Sequence, residues 1–186
     1  MLMSVKGVNH IVNLTIVLIY VGAILANPLL MEIGSGKRSS EMSDDVSGNA
    51  YAGEVTPRQA WDILSGVPSA VLIDVRTQGE WAYVGTVDLS SLEKQPLFVE
   101  WQHSPSMRVN PDFCKQLAAH GVGKDAPLLF ICRSGVRSRA AAIAMAAHGL
   151  AKCYNVSHGF EGDPDSSKHR STINGWKIDG LPWVQG

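Results

Sequence analysis

A four-residue apolar run, Leu128-Leu129-Phe130-Ile131, leads directly into Cys132, then Arg133-Ser134-Gly135-Val136-Arg137-Ser138, and then an alanine-rich stretch. That order reads as strand, cysteine, tight loop, helix. The cysteine falls where the N–H groups of the loop and of the first helical turn converge, and Arg133, Arg137 and Arg139 are its near neighbours in sequence. Such a place suits an anion. The thiolate is the reactive form of cysteine, and a helix N-terminus with guanidinium neighbours favours ionisation, so Cys132 is a candidate nucleophile. The competing role is a small buried core residue at a strand end. An inert cysteine does not need three guanidinium groups beside it.

The rest of the chain repeats the alternation of strand and helix. Thr56-Pro57 is an N-cap followed by proline at the first helical position, and Ala60, Trp61 and Leu64 supply an apolar stripe in a helix that ends near Ser65-Gly66. Val71-Leu72-Ile73-Asp74-Val75 is a short apolar run of the kind buried in a parallel sheet. Asn110-Pro111 repeats the cap-plus-proline signal before Phe113, Leu117 and Ala118, with Gly121 closing that helix. After the Leu128–Ile131 strand, a helix is expected from about Arg137 to His148, closed by Gly149, and Cys153-Tyr154-Asn155-Val156 gives one more strand. The fold class is therefore α/β, a central, mainly parallel sheet flanked by helices on both faces. Ligands in such sheets bind beyond the carboxyl ends of the strands. Cys132 occupies one such end, and Asp74-Val75-Arg76 another.

Composition narrows the function classes. The 186 residues carry 16 basic and 17 acidic side chains, so there is no basic stripe for nucleic acid. Cys114, Cys132 and Cys153 are an odd number at wide spacings, without a Cys-x-x-Cys or a His/Cys grouping of zinc-site type. The chain reads as neither metal-bound nor disulfide-framed, which suits a reducing compartment. The N-terminal part differs in kind. Residues 1–33 form a hydrophobic segment, residues 34–52 a linker rich in Gly, Ser and charge, and residues 53–186 the folded domain. The stretch 11–30 is about long enough to span a bilayer. A cleaved signal is disfavoured because Ile24-Leu25-Ala26 lacks the small residue at minus three, and a start near Met42 would make residues 1–41 a non-native extension. Lys37 and Arg38 after the span, against Lys6 before it, place the domain on the cytoplasmic side, tethered or soluble according to which start is used.

The motifs resemble those of the rhodanese-like sulfurtransferases over roughly residues 53–184. Cys132 to Ser138 is similar to the family's six-residue active-site loop, closed by a helix-capping serine, and Leu72-Ile73-Asp74-Val75-Arg76 followed by Glu80-Trp81 resembles its Asp-x-Arg segment with an acidic-aromatic pair. Tyr154-Asn155-Val156, Gly159-Phe160-Glu161-Gly162, Trp176 and Gly180-Leu181-Pro182 resemble its closing motif. Gly85-Thr86-Val87 stands where the family commonly has Gly-His-Ile, and the polar stretch Asp163 to Asn174, with Lys168, His169 and Arg170, looks like an insertion. That insertion is either a solvated loop or a shaper of acceptor choice.

The resemblance implies a single domain that moves a sulfane sulfur from a small donor such as thiosulfate to a thiol or cyanide acceptor, through a persulfide on Cys132 and without a cofactor or metal. Backbone N–H groups from Arg133, Ser134, Gly135, Val136, Arg137 and Ser138 would hold the anion, Arg133 and Arg137 would bind the donor, and Ser138 would cap the helix and donate to the sulfur. Asp74 and Arg76 would support the site as a charge pair or loop clamp. Cys153 is a candidate to resolve the persulfide, and a protein sulfur acceptor is a further candidate partner. Two other readings are a cysteine phosphatase or arsenate reductase, and a binding or sulfur-delivery module. The first is disfavoured because position six after Cys132 is Ser138, with arginines at five and seven.

Overall fold

The computed structural model describes residues 51–186. The apolar stretch 11–30, segment 1–33 and nearly all of the linker 34–52 lie outside the described residues. Among the described residues no helix is long and apolar enough to cross a membrane. In chain order the elements are β1 (Gly53–Val55), α1 (Pro57–Gly66), β2 (Val71–Asp74), α2 (Gln78–Val84), β3 (Thr86–Val87), β4 (Leu97–Phe98), β5 (Gln102–His103), β6 (Arg108–Val109), α3 (Phe113–Ala119), β7 (Leu128–Ile131), α4 (Val136–Ala147), β8 (Cys153–Val156) and β9 (Trp183–Val184).

Local chemistry explains where the helices begin. Thr56 accepts from the Gln59 N–H at 3.2 Å while the Gln59 side chain accepts from the Thr56 N–H at 2.9 Å, and Pro57 follows in the first turn of α1. Thr77 and Glu80 build the same reciprocal cap for α2. The expected Asn110 cap is not formed. Asn110 is buried and accepts from the Asp112 N–H at 3.0 Å, while its amide donates to the Glu100 carbonyl and to Gln116, so it holds the turn in front of α3 and the helix starts two residues later than proline position 111. Helix α4 begins at Val136, one residue before the expected start, and Gly149 beyond it has φ +89°.

Five strands form one parallel sheet in the order β1-β8-β7-β2-β4, with helices packed on both faces. The unbroken apolar character of β7 follows from its central place: Leu128, Leu129, Phe130 and Ile131 are all fully buried. Leu128 and Phe130 join Phe113 and Leu117 of α3 and Ala141 and Met145 of α4, whereas Leu129 and Ile131 join Ala60 and Leu64 of α1 and Trp176 on the other face. Burial of each such side chain contributes about 1.5–3 kcal/mol. Cys132 continues the alternation onto the α4 face. After β2 the chain moves to β4 on one side and returns to β7 on the other, so the exits of β2 and β7 are neighbours at the point where connections diverge.

Candidate active site

Asp74 pairs in register with Ile131, which brings the chain leaving β2 beside the chain leaving β7. The β2 exit is a sealed charge pair. Asp74 and Arg76 are both fully buried, the Arg76 guanidinium donates to the Asp74 carboxylate at 2.7–3.1 Å and to the Gly85 carbonyl at 2.8 Å, and it lies 4.2 Å from the centroid of the Phe160 ring. Neither side chain lines the cavity that holds Cys132. They tie β2 to the turn before β3 and to the chain after β8.

The β7 exit carries the sulfur. Cys132 is 1 % exposed, and its Sγ accepts from the Gly135 N–H and from the Ser138 hydroxyl, each at 3.2 Å. Gly135 occupies the N-cap position with φ +98°, a backbone state that turns its N–H toward the sulfur, and a side chain there would meet the His158 nitrogen at 3.3 Å. Ser138 does not cap the helix. It lies inside the first turn of α4, where its hydroxyl faces Cys132 instead of the helix end. The loop is pinned from behind: the Phe160 N–H donates to the Cys132 carbonyl at 2.7 Å and the Glu161 N–H to the Arg133 carbonyl at 2.9 Å. That approach leaves no room at Gly159, where φ is +59° and a Cβ would stand 2.3 Å from the Cys132 carbonyl oxygen.

The three arginines take three different places. Arg137 forks onto Glu80 at 2.7 and 2.6 Å. Burial alone would raise the Glu80 carboxyl, but the Arg137 fork and the Thr77 N–H outweigh it and hold the group down to about 2. Burial likewise opposes the charge on Arg137, and Glu80 outweighs it, so the guanidinium is raised above its ordinary value. Arg139 points away to Glu54 at 3.2 Å. Arg133 is exposed at the cavity and has no ion pair among the described residues.

The cavity around Cys132 has a volume of about 550 Å³, and its walls include Arg133, Glu80, Arg137, Met107, Glu161 and Arg170. A larger hollow of about 640 Å³ lies at the opposite ends of the strands, around Lys94 and Ala126. No cysteine lines it, and the Lys94 ammonium is already spent on the carbonyls of Val67, Pro68 and Ala70 at 2.8–3.0 Å. The smaller cavity is therefore the candidate site. Cys153 is ruled out as a resolving thiol, because it pairs with Leu128 at the far end of β7, roughly 13 Å along the strand from Cys132. Burial pushes its thiol up to about 12, and it donates to the Leu150 carbonyl at 3.1 Å. His158 contacts Asp163 and Asn174 and does not line the cavity; His169 is exposed and does not line it either.

Several wall residues were not anticipated from sequence as site residues. Glu80 had a legible signal, the Thr77-x-x-Glu80 capping box. Glu161 lies in the Gly159–Gly162 stretch and Arg170 in the polar insertion, which marks both segments but not which side chains face Cys132, and Met107 had no signal, since it reaches the cavity from a hairpin of two two-residue strands, β5 and β6.

The model of the rhodanese-like domain matches residues 56–163. The crystal structure of Rv0390 from M. tuberculosis is 45% identical and covers 74% of this chain and 100% of its own, with a TM-score of 0.69. A Rickettsia rickettsii protein named as an uncharacterized RP600 homolog is 38% identical over 126 residues, which are 67% of this chain and 91% of that one. The thiosulfate sulfurtransferase GlpE of Actinobacillus succinogenes is 31% identical over 129 residues, 69% of this chain and 87% of its own.

Proposed function

The chain belongs to the rhodanese-like domain family, and from that membership we propose that it is a sulfurtransferase in which Cys132 carries the sulfur. The observation that supports this reading most directly is the sulfur at the floor of the cavity, with the Gly135 N–H and the Ser138 hydroxyl both aimed at it from 3.2 Å. Donors placed in advance of the reaction stabilise negative charge on sulfur without reorganisation.

In the first step the Cys132 thiolate attacks the sulfane sulfur of thiosulfate. A Cys–S bond forms, the S–S bond to the sulfonate breaks, and sulfite leaves with the electron pair. The terminal sulfur of the persulfide is an anion and stays near the loop donors. In the second step an acceptor thiolate or cyanide attacks that terminal sulfur, the persulfide S–S bond breaks, and the Cys132 thiolate is regenerated. In each step a nucleophile bonds to the transferred sulfur while the S–S bond to that sulfur breaks and the leaving group keeps the electron pair, so the transfer balances without an outside oxidant. Arg133, without an ion pair among the described residues, supplies a guanidinium for the donor anion, whereas Arg137 lends its charge while remaining held by Glu80. A phosphatase reading is weaker, because the position six after the cysteine is Ser138, whose hydroxyl already donates to the sulfur.

Incubation of the full chain with thiosulfate, followed by intact-protein mass, tests the proposal. The expected result is the gain of one sulfur, lost on addition of cyanide and absent in Cys132→Ser. A chain that gains no sulfur, or gains it equally in Cys132→Ser, overturns it.

A further inference from the structure

The stretch from Asp163 to Asn174 is folded on its own polar groups. The Asp163 N–H donates to the Asn174 side chain at 2.8 Å and closes its base. Inside, Asp165 accepts from the N–H groups of Ser167 and His169 at 2.9 Å and from the Thr172 hydroxyl at 3.1 Å. Lys168 and His169 face solvent, but Arg170 turns inward, donates to the Gly162 carbonyl and lines the Cys132 cavity. The family match ends at residue 163, so Arg170 stands on a stretch outside it.

Charge in the cavity is unevenly used. Arg137 is matched by Glu80, which leaves Arg133 and Arg170 with Glu161, one of whose carboxylate oxygens is buried without a hydrogen-bond partner among the described residues. Three guanidinium groups against two carboxylates leave one positive charge in excess, before the charge of the reacting sulfur. The volume, about 550 Å³, is also of the size that holds an organic ligand, and thiosulfate would fill only a corner of it.

We infer that Arg170, acting with Arg133, determines specificity by binding the carboxylate of an organic thiol, the acceptor that collects sulfur from Cys132. The assignment rests on the sulfurtransferase reading above. A guanidinium fork matches a carboxylate in two parallel hydrogen bonds and so orients the other end of the molecule. Glu161 on the same wall repels a second carboxylate, which restricts the class to thiols with one. The acceptor thiolate attacks the terminal persulfide sulfur, the Cys132 S–S bond breaks, and the product leaves as a carboxylate-bearing persulfide.

The test uses the full chain loaded with thiosulfate, its persulfide quantified by intact mass, and then discharged by 3-mercaptopropionate or by 2-mercaptoethanol. The readout is the ratio of the two second-order rate constants, in which differences in loading cancel. In Arg170→Gln the ratio is expected to fall about tenfold, the equivalent of one charge-assisted hydrogen-bond pair. Arg170→Lys, which keeps the charge and the loop but loses the fork, is expected to show a smaller fall. Lys168→Gln removes the same charge from the same loop outside the cavity, and its ratio is expected to stay within about twofold of the parent. An unchanged ratio in both Arg170 variants, or an equal fall in Lys168→Gln, overturns the inference. A parent chain that forms no persulfide overturns the sulfurtransferase reading as well, whereas one that loads fully but discharges to both thiols without preference overturns the Arg170 assignment alone.

Discussion

The chain leaves two adjacent parallel strands at the same end of the sheet and treats the two exits in opposite ways. At the end of β2, Asp74 and Arg76 are shut away from solvent and hydrogen-bond to each other and to Gly85, with the guanidinium over the Phe160 face. At the end of β7, Cys132 is equally buried by area, yet its sulfur looks into a cavity and receives two donors, the Gly135 N–H and the Ser138 hydroxyl. Both sites put charge-bearing chemistry in a place of low dielectric. In the first, complementary groups cancel and the result is rigidity. In the second, the donors point at a sulfur that opens onto a cavity.

That contrast makes a double dissociation. Cys132→Ser should abolish persulfide formation and turnover while shifting the denaturation midpoint little, since the hydroxyl is of similar size; a variant that still carries sulfur would show that the two exits do not divide the work in this way. Arg76→Met should do the reverse. Removing one partner of a buried pair leaves an uncompensated charge and costs about 3–5 kcal/mol, read by urea unfolding, while the fraction that stays folded should still load one sulfur. Normal stability in that variant would mean that the clamp is dispensable.

The Glu80–Arg137 pair lies between the extremes, partly buried and at the cavity wall, and its effect should be smaller. The folded carboxyl titrates at about 2, below its ordinary value of 4.5, so the native state binds fewer protons than the unfolded chain between those limits. The stabilisation is present above about pH 4.5 and is lost as the pH falls toward 2. After allowance for partial exposure it is on the order of 2 kcal/mol. Glu80→Gln should remove that much at pH 7 and nearly nothing at pH 2, and a loss that is the same at both pH values would separate stability from this ion pair. The smallest effect is expected at Cys153. Its thiol stays protonated up to about 12, so iodoacetamide at pH 8 should leave it unlabelled in the folded chain under conditions that modify Cys132. Labelling of Cys153 at a rate comparable with Cys132 would break that expectation.

The features legible in the sequence were those governed by near neighbours in the chain. An apolar run without alternation meant a central strand, and Thr56-Pro57 meant a helix start, because both depend on the few residues around them. Cys132 and Gly135 were legible for the same reason. Asn110 and Ser138 are residue types that favour helix ends, but tertiary partners claim them: Glu100 and Gln116 in one case, the cysteine sulfur in the other. The insertion that bears Arg170 stands out by its polarity, but that Arg170, like Met107 and Glu161, lines the cavity depends on distant segments brought together by the sheet, and no local pattern carries that information. The Arg137 charge was visible, whereas its commitment to Glu80 was not.

The hydrogen bond from Phe160 to the Cys132 carbonyl has a consequence for the order in which the site comes into being. During synthesis the cysteine emerges well before the turn that pins it and before the stretch that bears Arg170. A nascent chain that has reached only the end of α4 has a thiol without a fixed cradle and without the far wall of its cavity. The enclosure is thus completed by the last part of the chain, and a truncated product would keep the Cys132 thiol without it.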